Sequence, residues 1–233
     1  MTVLCITLSC NIVKAMPRLA DPAMRSQLVE AAARRLSEHG RDGLSVRSLA
    51  GDVGASTQVV YTHFDGLDDL LAEVWREGFR RFAVALDAPA ITDDPVADWF
   101  EQGWRYRHFA RRNPHLYRVM FGEGLARNLS GSSEDAEAAS ATFVQLLVRI
   151  ERCAAAGRWV VEDVWTAGDV IWGTVHGRAL IELSGYHEEL GRPALPIYEQ
   201  SMRVLAVGMG DDPARVEASL DAARKRAKRA RLL

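Results

Sequence analysis

The chain has 233 residues, 48% hydrophobic and 26% charged, a composition that predicts a soluble globular protein with a sizeable core. Lys and Arg number 29 and Asp and Glu 31, so the net charge of −2 points to no partner by itself. Its distribution says more. Residues 1–66 carry seven basic and six acidic side chains, residues 67–221 carry 16 and 25, and residues 222–233 carry six and none. A near-neutral head, an acidic body and a basic tail suit a protein that touches a polyanion only with its ends.

Residues 1–13 are apolar, but no basic residue precedes them and the run is too short to cross a bilayer. Residues 1–20 are therefore expected to be a disordered or mis-called N-terminal extension, with Met16-Pro17-Arg18 the more natural start and residues 1–15 upstream of it. No other segment approaches transmembrane length, and no membrane partner is expected. Cys5 and Cys10 lie in that extension, which leaves Cys153 alone in the bulk of the chain. One core thiol builds no disulfide framework, so a reducing, cytoplasmic setting is expected, with Cys153 a small buried hydrophobe.

The rest of the chain predicts helix after helix. Asp21-Pro22 supplies an N-cap and a first-turn proline, and Met24, Leu28, Ala31, Ala32 and Leu36 repeat at three and four until His39-Gly40. Ser45 caps a short helix with the stripe Val46, Leu49, Ala50 and Val53. Gly54 turns the chain, and Ser56 is expected to cap a second short helix through Phe64. A long helix then spans 67–86. Asp94-Pro95 starts a helix rich in aromatic residues that ends at Asn113-Pro114, and a brief helix through Phe121 follows. A Gly/Ser-containing loop is expected over 122–133, then helices over 134–156, 162–184 and 195–208, and an amphipathic helix from Pro213 into the basic tail. Strand-like alternation is absent, so the fold class is all-α.

Chemistry concentrates in residues 45–64. Two short helices about a tight turn suit a rod that enters a major groove about 12 Å wide at an angle set by its partner helix. On the second helix Val60 and Phe64, four apart, point inward with Ala55 and leave Thr57, Gln58, Tyr61 and Thr62 outward. Gln58 can pair with adenine N6 and N7, and the methyl group of Thr57 can lie on a thymine methyl. Ser56, Tyr61 and His63 offer donors to phosphate oxygens, helix-start N–H groups attract anions, and Arg47 can reach the backbone or a guanine. The candidate DNA contacts are Ser45, Arg47, Ser56, Thr57, Gln58, Val59, Tyr61, Thr62 and His63. The competing reading is two ordinary short helices of a bundle with Tyr61 and His63 packed at an edge.

The ordered run over Arg25 to Val74, and above all Gly54-Ala55-Ser56, Tyr61-Thr62-His63-Phe64 and Asp69-Leu70-Leu71, resembles the TetR family of transcriptional regulators. The resemblance implies a helix-turn-helix DNA-binding domain over 21–66, and a linking helix with a helical regulatory and dimerisation domain over 67–221. It also implies repression relieved by a small ligand. Family members usually carry Lys at the start of the linking helix, where this chain has Leu67, so weaker and less salt-sensitive binding is expected.

Further along, Trp172-Gly173-Thr174-Val175-His176-Gly177 resembles the Trp, His and Gly signature of one TetR C-terminal subclass. This implies homodimerisation through helices 162–184 and 195–208. Small residues such as Gly173, Gly177 and Ala179 would allow close approach. Trp99, Trp104, Phe109, Tyr117, Phe121, Phe143 and Trp172 are the candidate lining of a pocket for a small hydrophobic or aromatic effector, with Arg105, His108 and His176 as polar contacts. An aromatic stripe is also what a plain core looks like, and His176 also suits a core histidine bonded to a neighbouring helix.

The remaining residues point to no cofactor and no metal. They show no metal-ligand spacing and no Gly-rich phosphate loop, and the six His form no ferritin-type pattern with carboxylates, so catalysis is not expected. The rival within the family is a regulator that has lost DNA binding or ligand response. The basic tail, 222–233, fits a solvated helix end, a second DNA contact or a partner for the acidic body, and the sequence does not choose among them.

Overall fold

A computed structural model describes residues 21–87, 91–122 and 133–233. The expected N-terminal arm and most of the expected 122–133 loop lie outside the described residues. Those residues form helices and no strand: α1 (Pro22–His39), α2 (Val46–Asp52), α3 (Gln58–His63), α4 (Leu67–Asp87), α5 (Pro95–Arg112), α6 (Pro114–Phe121), α7 (Ser133–Ala155), α8 (Val164–Leu183), α9 (Tyr186–Glu189), α10 (Ala194–Gly208) and α11 (Pro213–Arg229).

Local chemistry sets several of the starts. The Asp21 carboxylate accepts from the Ala23 N–H at 2.9 Å, Asp94 from Ala97 at 3.0 Å and Asp212 from Ala214 and Arg215 at 3.0 Å, each followed by Pro in the first turn. Ser45 and Ser48 close a reciprocal capping box on α2. The four-residue α9, which follows Gly185 at φ 79°, carries too short a pattern to be read from sequence.

The expected Ser56 cap is corrected. After Gly54 at φ 65°, the Ala55 N–H returns to the Ala50 carbonyl at 2.9 Å, and the first turn of α3 closes on the Ser56 and Thr57 carbonyls. That tight return delays the helix, so Thr57 is the N-cap residue and no side chain caps it.

The core runs from the head into the body without interruption. Leu28, Ala32, Leu49, Val60 and Phe64 bring α1 to α3 together beneath α4, whose Leu70, Leu71, Val74 and Trp75 meet them. Farther along α4, Gly78 lets α6 approach, because a Cβ there would lie 2.7 Å from Met120 Sδ. Helix α5 is surrounded by α4, α6, α7, α8 and α11 and is buried on nearly every side. Burial pushes the Cys153 thiol up to about 12, so it stays neutral.

The basic tail continues α11 and packs on α5. Ala223, Ala227 and Leu232 are buried, Arg226 binds Glu101 at 2.8 Å and Asp98 at 3.0 Å, and Arg224 binds Glu199 at 2.7 Å. Among its readings, pairing with the acidic body is the one these two arginines adopt. No described helix is long and apolar enough to cross a membrane.

Candidate nucleic-acid interface and cavity of the bundle

In the head, Val60 is fully buried and Phe64 nearly so, which turns the opposite side of α3 outward. Ser45, Arg47, Ser56, Thr57, Gln58, Tyr61 and Thr62 are exposed, while Val59 and His63 are half-buried at the margin. Val59 packs against the core, so its reach outward is limited. The Thr62 hydroxyl donates to the Gln58 carbonyl at 2.9 Å, which uses its proton within the helix and leaves it a poor phosphate donor. His63 Nδ1 is buried without a partner, so only its other ring nitrogen can face outward.

Ion pairs tie together the helices around the rod. Arg35 grips Asp52 through Nε at 2.5 Å and Nη2 at 2.8 Å, tying α1 to α2. Arg25 binds Glu73 of α4 at 2.7 Å with its guanidinium 4.9 Å from the centre of the Phe64 ring. Arg34 also reaches Asp52, and Arg41 pairs with Asp68. Four of the five arginines over 21–66 are thereby engaged, and Arg47 has no ion pair among the described residues. Leu67 is half-buried against the core, and the first turn of α4 carries Asp68 and Asp69 rather than a cation.

In the body, a cavity of about 440 Å³ opens among α4, α5, α6, α7, α8 and α10. Of the expected lining, Trp99, Phe121, Phe143 and Trp172 do face it. The other candidates lie elsewhere, and helix geometry explains each case. Trp104 is fully buried, 6.4 Å from the Phe100 ring on another side of α5. Arg105, His108 and Phe109 line a separate cleft with Arg112 and Leu232. Arg105 is also held by Glu101 at 2.9 Å. Burial and then Arg112 and Arg111 lower the His108 pKa, which keeps it neutral there.

Tyr117, which is buried, and His176, which is half-buried, stand beside the lining in a polar cluster. The Tyr117 hydroxyl lies 2.7 Å from His176 Nδ1 and 2.8 Å from the Tyr106 hydroxyl, which is itself 3.1 Å from the same nitrogen. Burial lowers the His176 pKa and raises both tyrosines, so a neutral imidazole accepting at Nδ1 fits these contacts. The half-buried His176 thus joins α8 to α5 and α6.

Sequence reasoning missed Phe79, Phe82, Gln102, Tyr106, Trp165 and Asp169 in the lining. The signal was there: Trp99, Gln102 and Tyr106 recur at three and four on α5, whereas Arg105, His108 and Arg112 form a different stripe.

The family model "Bacterial regulatory proteins, tetR family" matches residues 28–74, and "Tetracyclin repressor-like, C-terminal domain" matches 99–205. An uncharacterized HTH-type transcriptional regulator of Mycobacterium tuberculosis is 27% identical over 201 residues, covering 84% of this chain and 87% of the relative. A protein of unknown function from Rhodococcus sp. RHA1 superposes with a TM-score of 0.69 at 24% identity, over 83% of this chain and 99% of that one. A regulatory protein in the tetR family from Rhodococcus RHA1 also gives 0.69, at 18% identity over 82% and 100%. The two matches cover the exposed α3 rod and the helical body in the order the fold presents them, and the chain belongs to the tetR family of DNA-binding transcriptional regulators.

Proposed function

We propose that the protein is a homodimeric repressor that two α3 rods hold on a palindromic operator, about 34 to 36 Å apart, until a small hydrophobic effector fills the cavity. The observation that carries this reading is the exposed row of Thr57, Gln58 and Tyr61 over buried Val60 and Phe64. In the proposal, Gln58 and Thr57 read bases, while Ser45, Arg47, Ser56 and Tyr61 meet phosphates.

Two connections support coupling between cavity and head. Helix α4 begins beside α3 and lends Phe79, Phe82 and Leu86 to the cavity. Helix α6 carries Phe121 in the cavity wall and packs on α1, where the Ser37 hydroxyl lies 2.5 Å from His115 Nδ1. An effector acts only if it binds the separated arrangement of the rods more tightly, since equal affinity shifts nothing. Dimerisation through α8 and α10 is supported by their exposed apolar side chains, Val170, Leu180, Val204 and Val207.

Gel shift with DNA from upstream of the protein's own gene tests the reading. Gln58→Ala is expected to weaken binding about tenfold or more, and Tyr61→Phe to weaken it less. Unchanged affinity in both removes α3 from the interface.

A further inference from the structure

The cavity lining selects against a negatively charged ligand. Among the described residues no Lys, Arg or His lines it, and the one charged side chain there is Asp169 of α8. Asp169 is exposed at the mouth and makes no ion pair or hydrogen bond among the described residues. Trp165, four residues earlier, and Trp172, three later, share its side of α8. Across the opening, Phe143 of α7 lies 5.8 Å from the Trp165 ring and 6.3 Å from the Trp172 ring. An anionic head group drawn into this space would lose water and meet ring electrons and a carboxylate.

We propose that the cavity binds an amphipathic organic cation, its apolar body inside and its ammonium or phosphonium centre at the mouth against Asp169, Trp165, Phe143 and Trp172. The inference rests on the cavity's role as an effector site. Ring faces attract a cation whose hydration is weak, and each contact strengthens as water is displaced. Asp169, being exposed, adds a modest and salt-screened attraction. The head group keeps part of its hydration at the mouth, so little of its solvation is lost, while the interior supplies apolar contact.

Titration calorimetry of the full chain with tetraphenylphosphonium and tetraphenylborate, alike in size and shape but opposite in charge, tests this. The cation is expected to bind about tenfold or more tighter. Asp169→Asn is expected to weaken cation binding about threefold and flatten its salt dependence, and Trp165→Leu to weaken it about threefold to fivefold. Both replaced side chains are exposed, so the fold is retained. Equal or tighter borate binding, no binding of either ion, or unchanged cation affinity in both variants overturns the inference. Operator release is a separate measurement. A cation that binds without releasing DNA overturns the effector role of the cavity and leaves the binding inference standing, whereas borate binding with release does the reverse.

Discussion

Leu67 stands at the first position of α4, half-buried against the core, and two aspartates follow it. A helix start attracts phosphate through its N–H groups, and acidic side chains there offset part of that attraction. Leu67→Lys supplies the missing cation. It is expected to tighten operator binding about threefold to tenfold at low salt and to steepen the log–log salt dependence by about one. Fluorescence anisotropy across a salt series reads both, and an unchanged slope means that this terminus does not meet the DNA backbone. Asp98, also a single carboxylate, answers to the core instead. It is fully buried, with Arg152 at 2.9 Å, Arg226 at 3.0 Å and the Thr92 N–H at 2.8 Å. Burial pushes its pKa up, but hydrogen bonds from Arg152 and Thr92 and the charge of Arg226 outweigh it, so the pKa lies below the ordinary 3.8. Its stabilisation is therefore complete above the unfolded value and is lost as pH falls through the lower folded value. Asp98→Asn leaves the facing arginines without their carboxylate and is expected to cost about 3 kcal/mol at neutral pH. Thermal melts from pH 7 to 2 check both points: the variant melts lower at pH 7 and loses part of the acid-side decline.

The end of α11 shows how a run of like charge can belong to a core. Arg224, Lys225, Arg226, Lys228, Arg229 and Arg231 suggest a solvated end or a DNA contact when counted along the chain. On the helix they alternate with Ala223 and Ala227, both fully buried on α5. Arg226 reaches Glu101 and Asp98, while Arg224 reaches Glu199 of α10. Arg226→Ala is therefore expected to destabilise the bundle by about 2 kcal/mol with operator affinity unchanged once the protein is folded. Urea unfolding beside anisotropy separates the two, and a variant of unaltered stability that binds DNA less tightly would make the tail a DNA contact. Helix α5 shows why the cavity was only half legible. Its burial on nearly all sides makes every stripe look like core, so apolar content alone could not direct Trp99 toward the cavity and Trp104 away from it. Helical spacing separates them, since five residues place the two rings about 140° apart.

The arrangement of two chains depends on a surface that one chain leaves open. Val204 on α10 is 61% exposed and Val170 on α8 is 50% exposed, near a cleft lined by Thr174, Arg178, Ile197 and Gln200. Charge placed there faces its own copy in a twofold interface. Val204→Asp is expected to give a monomer in sedimentation velocity and to weaken operator binding about a hundredfold, because only paired rods engage both half-sites. A dimer of unaltered affinity would move the interface elsewhere.

Caps at Asp21, Ser45, Asp94 and Asp212, the helical periods and the inward pair Val60 and Phe64 were fixed by neighbours within four residues, and such local rules can be read along the chain. The order of head and body was legible for the same reason. Only packing of the assembled helices decided that Ser56 falls outside α3, that Arg105 and His108 face a separate cleft, that Arg226 turns inward, and that Asp169 is the one charge on the cavity wall among the described residues. A helix carries its own pattern of sides wherever it goes, but what each side meets depends on partners far away in sequence, and their positions come from the closing of the whole core.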